Sequence, residues 1–329
     1  MCKEFKIVCD CREDFLQQSG EYSDHFSKKS INFIIEKFSK IGYRCIHFGG
    51  INELIVLCQN RQLLENEYFI NLSDGLYQKN RRLQAPILLE ILGANYSGSE
   101  PLAIALANDK ATCKKVLRSS RTVRVPQDVI LENSSIINTK KINALSFPVI
   151  VKPNSEGSSI GITQDSLKST PEEVVQYYLT TEIHKYDSVL VEEYIKGYEV
   201  TSLFVGNNYV FPLLIRYNAK TYFENEIMDI EAKRNHLREY LHPSVYLSAE
   251  CIDKIIQATI NVKECIGLRD IARVDFRVTN NEEIFFIEVN SNPVLSGSSE
   301  LSAISRVYNT SEEEILKYYM QGFISRVQN

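Results

Sequence analysis

The sequence predicts an α/β protein built around an open sheet. Short apolar runs alternate with helix-like stretches through the first hundred residues, and no internal repeat or low-complexity segment interrupts them. Of the 329 residues 44% are apolar and 24% charged, the composition of an ordinary globular protein. That length suggests about two domains, or three small ones. It also lets the chain bury roughly 75% of its unfolded surface, so neither disulfides nor metals are needed to hold it.

Elements follow in order. Phe5–Cys9 reads as a strand. Residues 26–41 place apolar side chains at helical spacing ahead of Gly42 and read as a helix. Tyr43–Phe48, Leu54–Cys58 and Tyr68–Leu72 read as strands, and Ala85–Leu92 as a helix closed by Gly93. The pattern changes near residue 108. Asp109–Leu117 is a basic helix, Val129–Leu131 a strand, and Phe147–Lys152 a buried-type strand. Pro171–Thr180 is a helix with proline at its start. Ser188–Tyr194, Glu199–Val205 and Tyr209–Arg216 are strands. Residues 217–243 read as a long polar loop, a length that usually marks function or movement. Glu250–Cys265 is a helix, Ala272–Val278 and Ile284–Asn290 pair across a turn at 280–281, and Glu312–Ile324 is the last helix.

Charge excludes some functions. Lys and Arg number 37, Asp and Glu 42, and the net charge is −5. A chain-wide basic field for nucleic acid is excluded, whereas a local cationic pocket is not. No apolar run approaches the ~18 residues of a membrane span. The start MCKEFKIVCDCRED carries early acids and no long apolar core, so no signal peptide, no membrane partner and a cytoplasmic location are expected. Eight cysteines without a C-x-x-C pair read as reduced thiols.

Two segments carry chemistry. In the first, Lys152 ends a buried strand and Pro153-Asn-Ser-Glu156-Gly-Ser158-Ser159-Ile-Gly161 follows. Backbone N–H groups and hydroxyls in such a loop can surround phosphate oxygens, with the lysine adding charge. The loop also fits G-x-S-x-G at 157–161, but a nucleophile elbow needs a strand directly before it and a helix directly after, and neither is expected here. In the second segment, period-two spacing puts Arg273 with Asp275, and Glu288 with Asn290, each pair on one strand face. Paired strands would bring three oxygen-bearing side chains beside an arginine, a donor set suited to Mg²⁺ alongside phosphates.

With these motifs the chain resembles the ATP-grasp superfamily and, within it, the D-alanine–D-alanine ligase family. The likeness runs from about Asn71 to Lys317. It rests on INLSDG (70–75), residues 85–110, FPVIVKPNSEGSSIGI (147–162), VEEYIKGYEVT (191–201), DIEAK (229–233), ARVDFRV (272–278) and EVNSNP (288–293). The resemblance implies a three-domain ATP-grasp fold: an N-terminal Rossmann-like open sheet (1–107), a central ATP-clamping domain (108–190), and a C-terminal one (191–329) with the magnesium site and a lid.

It also implies roles. Lys110 and Lys152 would bind ATP phosphates, with Glu156, Ser158 and Ser159 in the covering loop. Glu192 and Ile195 would hold adenine, with Ile287 also in the nucleotide site, and Glu199 the ribose. Lys233 would reach the terminal phosphate. Asp275, Glu288 and Asn290 would hold two Mg²⁺, with Mn²⁺ an acceptable substitute. Arg273 would stabilise the tetrahedral intermediate. Ser299, or Ser298 with a one-residue shift, would bind the acceptor carboxylate. Partners would be a carboxylate, an amino acid and a second copy of the chain, since family members are often dimers through the N-terminal domain.

Three departures bear on the donor. The family's GG-x-S-x-E-x-x-V-S loop, whose glutamate grips the donor ammonium, is replaced at 10–27 by DCREDFLQQSGEYSDHFS, with Ser23 near the glutamate position. Arg234 stands where the lid has tyrosine, and Val294 where the family has glycine. A buried ammonium binds poorly without a carboxylate. The expectation is therefore an ADP-forming carboxylate–amine ligase whose donor is not D-alanine, in specialised metabolism, with Arg234 facing the donor; the alternative is a D-alanine–D-alanine ligase of cell-wall synthesis.

Overall fold

The computed structural model describes residues 4–14, 25–76, 79–132, 137, 139–157, 159–227, 238–293, 295 and 300–328. The class is the expected α/β, carried among the described residues by three sheets. In the first, β1 (Glu4–Val8), β2 (Arg44–Gly49), β3 (Tyr68–Asn71) and β4 (Asn95–Tyr96) run parallel in the order β2-β1-β3-β4. Helix α1 (Lys28–Lys40) starts where the Ser27 side chain accepts the Ser30 N–H, and buries Ile31, Ile34 and Phe38. Four more helices follow: α2 (Ile51–Gln59), α3 (Gln84–Ile91), α4 (Pro101–Asn108) and α5 (Lys110–Ser120).

Residues 54–58, expected as a strand, lie inside α2. A short apolar run suits either state, and tertiary capping decides between them. Asp10 Oδ1 accepts the Ile51 N–H at 2.9 Å and Glu53 Oε2 the Gly50 N–H at 2.7 Å. Only glycine fits at position 50, because a Cβ there would stand 2.0 Å from Asp10 Oδ1. Helix α4 carried no sequence expectation of its own.

The second sheet is antiparallel. It orders β5 (Asp128–Glu132), β6 (Val149–Pro153), β7 (Leu167–Lys168) and β8 (Ser188–Glu193) as β5-β8-β6-β7. Val149, Val151, Val189 and Val191 turn to a core closed by α6 (Thr139–Ile142) and α7 (Pro171–Thr180). By strand alternation Ile150, Lys152, Leu190 and Glu192 take the opposite face.

The third sheet has six strands: β9 (Gly197–Val205), β10 (Tyr209–Tyr217), β11 (Tyr222–Phe223), β12 (Arg238–Leu241), β13 (Ile271–Val278) and β14 (Ile284–Asn290). Its order is β12-β10-β9-β13-β14, with β11 on β9. Two of these strands, β11 and β12, fall within the stretch expected as loop; residues 228–237 lie outside the described residues. Helix α8 (Ala249–Ile266) covers one face, joined by Cys113 and Leu117 of α5. Helices α9 (Glu300–Val307) and α10 (Glu312–Gln328) share a core with the first sheet, where Phe5 and Ile7 meet Val205, Ile304, Tyr319 and Phe323. Among the described residues no helix is long and apolar enough to cross a membrane.

Candidate active site

The opposite faces of the second and third sheets enclose a cleft of about 690 Å³, counting its open mouth. On β13, Ala272, Val274, Phe276 and Val278 face the core. Their alternates Arg273, Asp275 and Arg277 line the cleft. Register then brings partners alongside. Asp275 pairs with Glu288 on β14 and Thr201 on β9, Arg273 with Asn290, and Arg277 with Glu199. A shift in register after Asp275 places both Ile287 and Glu288 on the cleft wall.

Arg273 is gripped from two sides. Its Nε and Nη2 donate to Asp275 at 3.0 and 2.9 Å, and its Nη1 donates to Glu300 at 3.1 Å. Burial pulls the guanidinium pKa down, but Asp275 and then Glu300 outweigh it and hold the arginine charged. Thr201 Oγ1 also donates to Asp275, at 2.7 Å. Hard oxygens at Asp275, Glu288 and Asn290 suit Mg²⁺ by their chemistry. The Asn290 Oδ1 accepts the Asn292 N–H at 3.1 Å. Among the described residues no three His, Cys, Asp or Glu side chains cluster as a preformed metal site.

Across the cleft lies a buried cationic group. Asp109 caps α5 through the Thr112 N–H, and α5 then sets Lys110 and Lys114 one turn apart on one face. The Lys110 Nζ is 3.5 Å from Glu288 and donates to the Glu156 carbonyl. The Lys114 Nζ is 2.8 Å from Glu192 Oε2, and Lys152 donates to Glu192 Oε1. Burial pushes Glu192 up, but Lys114 and then Lys152 outweigh it and hold the carboxyl below its usual range. Burial lowers both Lys110 and Lys114. Among the described residues three lysines gather round Glu192 and Glu288 here, a cationic lining that suits an anion.

After β6 the loop closes through successive turns, with the Ile160 N–H bonded to the Gly157 carbonyl and the Ile162 N–H to the Ser159 carbonyl. Ser159 has φ 61° and Gly161 φ 75°. A Cβ on Gly161 would stand 2.6 Å from Pro153 Cγ, so the loop lies close against the strand end. A three-residue 3-10 turn (Gln164–Ser166) and then β7 follow it, not the α-helix directly after the serine that a nucleophile elbow needs.

Of the expected site residues, the cleft gathers Lys152, Ser159, Glu199, Arg273, Asp275, Ile287 and Glu288. Lys110 reaches it through Glu288. Glu192 presents its carboxylate to the two lysines, and Ile195 lies in the 194–196 link between β8 and β9. Glu156 lines a neighbouring cavity with Lys79 and Lys185. Ser158, Lys233, Arg234, Ser298 and Ser299 lie outside the described residues, as does Ser23 of the altered loop.

The sequence reading missed Lys114, Arg277 and Glu300. Lys114 sits four residues after Lys110 and Arg277 two after Asp275, spacings that do signal a shared face. Arg277 is 2.9 Å from Glu199 and lies over the Tyr194 and Phe223 rings at 5.2 and 4.9 Å. Glu300 follows no motif spacing.

Comparison with known proteins follows the same lines. Residues 120–317 match the family model described as D-ala D-ala ligase C-terminus. A D-alanine–D-alanine ligase of Carboxydothermus hydrogenoformans is 32% identical, covering 77% of this chain and 80% of its own. One of Petrotoga mobilis is 25% identical over 92% and 94%. Among solved structures, D-alanine–D-alanine ligase from Bacillus anthracis complexed with ATP aligns at a TM-score of 0.76 with 21% identity over 99% of both chains. The VanG D-Ala:D-Ser ligase from Enterococcus faecalis aligns at 0.73 with 18% identity over 98% and 100%.

Proposed function

Because the chain belongs to the D-alanine–D-alanine ligase family of ADP-forming, ATP-dependent ATP-grasp ligases, we propose that it joins two D-alanine molecules. The named relatives favour this reading over the expected specialised donor. The observation that carries the ligase chemistry, whatever the donor, is the Asp275–Glu288 pair beside Arg273, facing the buried Lys110–Lys114–Lys152 group.

In this reading ATP lies in the cleft with its phosphates toward Lys110 and Lys152, its ribose at Glu199 and its adenine at the 194–196 link. The first substrate's carboxylate attacks the γ-phosphoryl group, giving an acyl phosphate and ADP. The second substrate's amine attacks the acyl carbon, phosphate leaves, and a peptide bond forms. Arg273 stabilises the oxyanion between these events. Asp275, Glu288 and Asn290 would hold Mg²⁺, which when bound offsets the phosphate charge. Ser158, Lys233 and Ser299 keep the roles that the family motifs give them, over the phosphates and at the acceptor carboxylate. Exposed Ile55, Val56, Ile87 and Ile91 on α2 and α3 support a homodimer through the first sheet's helices.

ADP release with ATP, Mg²⁺ and a panel of D- and L-amino acids, singly and in pairs, tests the proposal. Turnover with D-alanine alone and formation of the dipeptide supports it. Turnover only when another carboxylate is supplied returns the donor to the specialised class and gives the Ser23 loop its meaning.

A further inference from the structure

Glu300 opens α9 with 5% of its surface exposed, yet it borders the cleft. Its Oε1 is a hub. It accepts from Arg273 Nη1 at 3.1 Å and from the Tyr240 hydroxyl at 3.2 Å, and Arg238 Nη2 lies 3.6 Å away. Two of those partners belong to β12 and one to β13. A carboxylate buried this deeply is stabilised only by such charged partners.

Arg273 depends on that hub in a specific way. Among the described residues, three of its five N–H groups are engaged, two by Asp275 and one by Glu300. Asp275 is also a proposed Mg²⁺ ligand, and a carboxylate shared with a dication is a weaker partner for a guanidinium. The Glu300 contact does not compete with the metal. It would hold the arginine when the Asp275 contacts loosen.

We propose that Glu300 is a positioning residue for Arg273, keeping the guanidinium aimed into the cleft while Asp275 serves the metal. The inference rests on the ligase reading above, and its test separates the two.

ADP release with D-alanine is measured for the unaltered chain, Glu300→Gln and Glu300→Asp, together with binding of a fluorescent ATP analogue with Mg²⁺. For Glu300→Gln we expect kcat to fall about 10–100-fold. The KM for ATP and the analogue's Kd should stay within about twofold, measured well below the variant's unfolding midpoint, which should fall because Arg273 and Arg238 lose a buried counter-charge. Glu300→Asp keeps the charge and should recover part of the loss; it carries the test alone if Glu300→Gln does not fold. An unchanged kcat, or a loss of nucleotide affinity as large as the loss of kcat, overturns the proposal. If the unaltered chain releases no ADP with D-alanine, the donor reading fails, and the positioning role is then read without turnover. The Arg273 Nη1–H resonance, the one held by Glu300 and assigned by its loss in Arg273→Lys, should stay protected from exchange in the analogue–Mg²⁺ complex and lose protection in Glu300→Gln. Equal protection in both overturns it.

Discussion

Asp275 stands directly across the β13–β14 ladder from Glu288, and each carboxylate answers a different cation: Arg273 for Asp275, Lys110 for Glu288. The pair thus joins the proposed metal site to Arg273, proposed for the oxyanion, on one side and to Lys110, proposed for the phosphates, on the other. Asp275→Asn or Glu288→Gln should lower kcat/KM by about a thousandfold or more, a loss of several kcal/mol in transition-state charge stabilisation. ADP release followed against Mg²⁺ concentration checks this; a variant that keeps its Mg²⁺ dependence and rate would remove the residue from the site.

Glu192 separates two buried lysines, and removing its charge strands both. Glu192→Gln should cost about 3–5 kcal/mol of folding stability, read by urea unfolding at neutral pH. Lys152→Ala should abolish ATP binding while leaving the Lys114–Glu192 contact in place. An unchanged stability in Glu192→Gln would mean that water reaches this group.

The same pair sets an acid limit. Its lysines hold Glu192 below the ordinary 4.5, so between the folded and unfolded values the unfolded chain binds more protons and stability rises with pH. The contribution is complete above about pH 4.5 and is lost as pH falls through the depressed folded value. Unfolding midpoints measured from pH 6 downward should therefore drop more steeply in the unaltered chain than in Glu192→Gln.

Arg277 and Glu199 predict how the ribose is read. Arg277, between two aromatic rings, fixes the Glu199 carboxylate 2.9 Å away. If Glu199 accepts the ribose hydroxyls, ATP should be preferred to 2′-deoxy-ATP by about tenfold, the worth of one charge-assisted hydrogen bond. Glu199→Ala should erase the preference, and Arg277→Met should reduce it. Equal KM values for the two nucleotides in the unaltered chain would contradict the assignment.

Much of the site was legible because strand periodicity is strict. A turn at 280–281 and two runs of alternating residues suffice to bring Arg273, Asp275 and Glu288 together. The tight Gly/Ser loop against the end of β6 was legible because glycines and serines after a buried strand mark a close backbone turn. Residues 54–58 were not, because the signals that make them helical are a distant Asp10 carboxylate and a glycine next to it. Glu300 was hidden for the same kind of reason: its partners lie 27 and 60 residues away in sequence, and no local pattern encodes that meeting. The shared core between the first sheet and α10 is likewise a long-range fact, carried by pairs such as Phe5 and Phe323 with ring centroids 6.2 Å apart.

The most direct test of the ligase chemistry follows one oxygen atom. With D-alanine labelled by ¹⁸O in its carboxylate, ATP and Mg²⁺, each inorganic phosphate released should carry one labelled oxygen, because the carboxylate oxygen attacks phosphorus and leaves with it. Turnover that yields unlabelled phosphate would contradict an acyl phosphate and, with it, the proposed roles of Arg273 and the lysine group.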